Sequence, residues 1–162
     1  LSALLAWLEA SPLGEAVRGA GVWAYAVINA AHIAGIASLF GAILVLDLRL
    51  LGWRRARPLH DVAAGTVPVA AAGLAVALVS GVCLLATNAR EYAGNPFLLI
   101  KFAALGLGLV NLTLLHRSSA WRAMRTRLDL DARARQRLVV GGGVSLAGWL
   151  TTLLAGRMLG YW

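Results

Sequence analysis

Val22-Trp23-Ala24-Tyr25-Ala26-Val27-Ile28-Asn29-Ala30-Ala31-His32-Ile33-Ala34-Gly35-Ile36-Ala37-Ser38-Leu39-Phe40-Gly41-Ala42-Ile43-Leu44-Val45-Leu46 runs without a charged residue and is closed at once by Asp47-Leu48-Arg49. At about 1.5 Å per residue such a run crosses a hydrocarbon core of about 30 Å. A segment in lipid must satisfy every backbone N–H and C=O internally, so the run predicts a transmembrane helix over 22–46. The same reading places further spans at about 62–86, 97–115 and 138–159. Pro68 falls early in the second span, where a membrane helix tolerates a kink. The expected fold is all-α: one domain, residues 1–162, built as an integral membrane four-helix bundle.

The composition agrees. Of 162 residues 60% are hydrophobic and the mean hydropathy is +0.75, too apolar for a soluble domain of this length. A net charge of +8 could suggest nucleic acid, but that reading needs a basic soluble face. The basic residues instead gather between the spans: Arg49, Arg54, Arg55 and Arg57 around the first connector, and seven arginines between His116 and Arg137. The positive-inside rule then puts both connectors in the cytoplasm of a bacterial inner membrane, with both termini and the Thr87–Pro96 loop outside. Asp47 and Asp61 flank the first connector, where pairing with Arg49 or neighbouring arginines is expected. The second connector is expected to lie as a helix along the membrane surface. Tyr161-Trp162 would anchor the last span at the interface.

Leu1–Ala10 carries Glu9 and no basic start, which argues against a signal peptide. Leu1, Leu4, Leu5 and Leu8 at helical spacing beside Trp7 predict an interfacial amphipathic helix. Ser11-Pro12 reads as an N-cap with proline at the first helical position. Ala30, Ala34, Ser38 and Ala42, with Gly35 beside them, predict a face on which a neighbouring helix packs closely, and Gly141-Gly142-Gly143 a second such contact. The lone Cys83 forbids an intramolecular disulfide and reads as a small buried hydrophobe.

Polar side chains inside a membrane are costly, so each is a candidate for function. Tyr25, Asn29 and His32 share one face of the first helix. Lys101 and Arg157 fall in the outer halves of the third and fourth spans, where their stems reach the headgroups or converge with that face on a site near Ser80, Thr151 and Thr152. His32 in such a site would turn into the bundle, accept one hydrogen bond and donate another, and could meet a metal, a haem iron or a quinone carbonyl. His60 precedes the second span and His116 ends the third, at nearly one level on the cytoplasmic edge. Two imidazoles so placed are candidate axial ligands of a b-type haem, and helix-end capping is the alternative use of such residues. No G-x-S-x-G, H-E-x-x-H or nucleotide-binding glycine loop occurs, so a binding or electron-transfer subunit fits better than a hydrolytic enzyme.

Asn29-Ala30-Ala31-His32-Ile33-Ala34-Gly35, Phe40-Gly41 and Asp47-Leu48-Arg49-Leu50-Leu51-Gly52, continued by Tyr92, Asn95-Pro96-Phe97, Lys101 and His116-Arg117, resemble an uncharacterised family of small bacterial four-helix membrane proteins. More distantly, a histidine followed by small residues, with a lysine early in a later span, is similar to the copper-resistance D membrane domain and to b-type cytochrome-like bundles. That resemblance implies haem b and electron transfer, or copper passage. Against copper stand the single cysteine and Met158 as the one methionine in a span. The residues also allow an accessory or scaffold subunit of a larger membrane complex, or a homo-oligomer, whose buried polar groups only fix helix packing. In every case the lipid bilayer is the first partner.

Overall fold

The computed structural model describes every residue except Arg55, and among those residues it holds helices and turns but no strand. Two short helices, α1 (Ser2–Glu9) and α2 (Pro12–Gly19), lead into α3 (Gly21–Leu50) and α4 (Leu59–Thr87). A 3-10 turn, Ala89–Tyr92, leads into α5 (Pro96–Arg117); α6 (Ser119–Arg125), α7 (Ala132–Met158) and a last 3-10 turn follow. The four long helices are each long and apolar enough to cross a membrane, the last counted through Tyr161. The chain is therefore all-α and of multi-pass membrane type. Each long helix outruns its predicted apolar core, because helical hydrogen bonding continues into the polar flanks. The change is largest in α7, which starts at Ala132 and takes in Arg133, Arg135 and Arg137; of the expected surface helix only α6 forms.

The starts and stops follow local chemistry. The Ser11 hydroxyl accepts the Gly14 amide and Pro12 opens α2, as its sequence predicts. Ser118 caps α6 through the Trp121 amide, and Asp131 caps α7 through Ala134. Gly94 turns the chain at φ +89°, a conformation open to glycine, immediately before Asn95-Pro96 starts α5. α4 continues through Pro68.

Two compact units are distinguished, one of Leu1–Leu39 with Ala71–Pro96, the other of Phe40–Ala70 with Phe97–Trp162. In the first, α3 and α4 meet backbone to backbone: a Cβ built on Gly73 would lie 2.6 Å from the Leu39 nitrogen and 2.8 Å from the Gly35 carbonyl. The packing face is thus Gly35, Leu39 and Gly73, and the small-residue stripe does not form it. Ala30, Ala34 and Ser38, about 140°, 100° and 60° round the helix from Gly35, are exposed, while Ala42, about 20° from it, is half-buried. In α1 only Leu5 is fully buried, while Leu1, Leu4 and Trp7 face outward, as an interfacial helix requires. Arg18 ties this end together, donating to the Ala86, Thr87 and Glu9 carbonyls.

In the second unit Leu46, Leu50, Ala63, Ala120, Trp121, Met124 and Leu138 form one apolar cluster. The triple glycine does pack helices: a Cβ on Gly141 would strike Leu115, and one on Gly142 would strike Leu50. Asn111 of α5 donates to the Gly141 carbonyl of α7 at 3.0 Å. Outward-facing Val45, Leu107, Leu114 and Leu154 leave an apolar surface suited to lipid.

Candidate functional site

The arginine-bearing end of the second unit gathers the most polar chemistry. His60 lies in the first turn of α4, and His116 in the last turn of α5. Both line one cavity of about 330 Å³ with Trp121 and Arg125. The Ser118 cap starts α6 so that Trp121 lies against His116, ring centroids 4.2 Å apart. Ala64 and Pro68 line the same cavity, and proline has no N–H to return to the carbonyl one turn back.

The hydrogen bonds fix both tautomers. His116 Nδ1 stands 2.9 Å from the Leu112 carbonyl, which can only accept, so Nδ1 carries the proton and Nε2 the lone pair. His60 Nε2 accepts from Arg127 Nε at 3.2 Å, which puts its proton on Nδ1. That nitrogen lies 2.6 Å from Asp61 Oδ1, too far off line for a hydrogen bond but held by the carboxylate's charge. Asp61 also meets Arg127 at 3.6 Å, an arginine of the second connector and not one of those expected beside it in the first.

The outer set divides between the units. In the first, His32 faces α4: its Nδ1 is 3.0 Å from Ser80 Oγ, and its ring lies against Gly81, where a Cβ would come within 2.9 Å of Cε1. The Ser80 hydroxyl donates to the Val76 carbonyl, so its oxygen accepts and the His32 proton sits on Nδ1. His32 thus has a polar partner from another helix. Asn29, one turn before it, is half-buried, and Tyr25 is exposed. Tyr25 adjoins Tyr92, whose phenol is pushed up by burial first and then by the neighbouring Tyr25 and Glu91.

In the second unit the Lys101 stem packs on Gly156, where a Cβ would stand 3.5 Å from Nζ. The guanidinium of Arg157 lies over the Tyr161 ring and donates to its hydroxyl. No group of three or more potential metal ligands occurs among the described residues.

One position departs from its expected role. Among the described residues Asp47 pairs with no connector arginine; it is 3% exposed, with Ser145 of α7 as its polar neighbour, and its Oδ2 has no hydrogen-bond partner there. Arg49 instead donates to the Arg57 carbonyl. Asp47 adjoins the arc of Leu39, Ile43, Leu46 and Leu50, all buried, but the sequence does not mark that arc because the span is apolar on every side. No family model, curated protein or solved structure matches the chain.

Proposed function

We propose that this chain is a haem-binding, electron-transferring subunit of a bacterial inner membrane, with His60 and His116 as the iron ligands. The observation that carries the reading is the shared cavity whose two histidines have the same tautomer. Each presents Nε2 as its lone-pair nitrogen and has an oxygen near Nδ1, hydrogen-bonded in His116 and held by charge alone in His60, and an oxygen at Nδ1 is how proteins prepare imidazole for a metal. Arg127 would leave His60 Nε2, and with Arg125 it supplies cations for the acidic edge of the ring. Trp121 holds the His116 plane, and Ala63 and Val67 keep water from that wall. Bound haem would supply a one-electron couple. In this reading the arginine-bearing end is cytoplasmic and both termini are outside. Full-length protein purified from haem-replete cells is expected to show a Soret band that shifts on reduction. His116→Ala should abolish it and His60→Ala weaken it; a colourless preparation refutes the assignment.

A second reading, an accessory or scaffold subunit, draws on the outward Ala30, Ala34 and Ser38 stripe, which lets another transmembrane helix approach closely. Co-purification with a larger complex, lost on Ala34→Leu while the chain stays folded, would support it.

A further inference from the structure

Among the described residues the buried polar side chains are Asp47, Ser80 and Asn95, and of these only Asp47 can carry a charge. Its position in α3 is fixed from α7: a Cβ on Gly142 would stand 3.5 Å from the Asp47 carbonyl and 2.9 Å from Leu50 Cβ, so the helices meet closely at this level. Ser145 lies one turn further along α7. Asn111 joins α5 to the same region through the Gly141 carbonyl. On its own helix the flanking Leu46 and Leu50 are buried and apolar. Arg49 is the charged neighbour on its own helix, and no ion pair reaches Asp47 among the described residues.

A carboxylate in such a place bears a desolvation cost that one hydroxyl does not offset. Asn111 and Ser145 bring polar groups of two further helices to this level, and Oδ2 is the acceptor left over. We infer that Asp47 is the binding site of a neutralising monovalent cation, a proton or Na⁺, with Ser145 as a positioning residue. Cation binding at Asp47 does not rest on haem binding, and its readouts, a carboxyl band and a response to Na⁺, are separate from a Soret band. A bound proton removes the charge and turns Oδ2 from an acceptor into a donor. Bound Na⁺ would use Oδ2 with the Ser145 hydroxyl.

The test uses the full chain in lipid nanodiscs at pH 7, with choline chloride as the only salt. If the cation is a proton, the infrared difference between wild type and Asp47→Asn contains a protonated-carboxyl C=O band that shifts in heavy water. Ser145→Ala moves that band to higher frequency, because a hydrogen bond to the carboxyl is lost; a merely structural role for Ser145 would not do this. If the cation is Na⁺, the band is absent, and replacing choline by NaCl raises the unfolding temperature of wild type but not of Asp47→Asn. An ionised-carboxylate signature together with no Na⁺ response overturns the inference. Asp47→Asn removes the charge at constant shape and is expected to fold, and Ser145→Ala keeps the test decisive if it does not.

Discussion

Replacing Gly73 by alanine tests whether the α3–α4 crossing holds the first unit together. The added methyl would lie 2.6 Å from the Leu39 nitrogen, 2.8 Å from the Gly35 carbonyl and 3.1 Å from the Leu39 Cα. Carbon reaches optimal separation from such atoms at about 3.5–4.0 Å, so the helices must part by about 1 Å, and a gap of that size forfeits up to about half of each contact's attraction. The obstacle is backbone, which no rotamer change relieves. Overpacking of this kind costs about 1–3 kcal/mol. A loss of about 2 kcal/mol lowers the folded-to-unfolded ratio roughly 30-fold. Gly41→Ala and Gly106→Ala are the controls, since a Cβ at either meets nothing within 4 Å. They should leave stability unchanged or raise it by up to about 1 kcal/mol, the ordinary gain from glycine to alanine in a helix. The assay is denaturant titration in mixed micelles followed by tryptophan fluorescence. Gly35→Ala should resemble Gly73→Ala, its Cβ standing 2.8 Å from the Ala77 nitrogen, and the double variant should cost less than the sum because one separation relieves both. If Gly73→Ala is as stable as Gly41→Ala, the close crossing is wrong.

Ser80→Ala removes the acceptor of the His32 Nδ1 proton. It should cost roughly 0.6–1.7 kcal/mol, the range for interhelical hydrogen bonds in membranes, and shift the His32 ring resonances in ¹⁵N spectra; an unprotonated Nδ1 in the wild type would contradict the assignment. Tyr92, raised from 10.0 by burial, should ionise above the ordinary tyrosine value in an alkaline absorbance titration. Because the folded state then keeps a proton the unfolded chain has lost, its contribution is complete below about pH 10 and disappears as pH rises toward the folded value, a decline that Tyr92→Phe should reduce.

The four long helices and the two arginine-rich connectors were legible in the sequence, because lipid forces any uncharged run of this length to satisfy its own backbone. The Ser11-Pro12 cap and the Gly94-Asn95-Pro96 turn were legible too, since both work through bonds only a few residues long. The side chains that meet were not. Small residues at spacing four suggested Ala30, Ala34, Ser38 and Ala42, with Gly35 beside them, as the packing face; Gly35 does pack, but Ala30, Ala34 and Ser38 do not, since every face of a span in lipid is apolar and periodicity cannot say which one a neighbour covers. Gly73 decides it, by letting the backbone at Gly35 and Leu39 approach. The same limit hid Asp47: its neighbours in sequence are Leu46, Leu48 and Arg49, and only α7, almost a hundred residues along, reaches its backbone at Gly142 and its carboxyl with Ser145. Composition set what the chain is dissolved in, while glycine contacts between distant helices chose which of its few polar groups face inward.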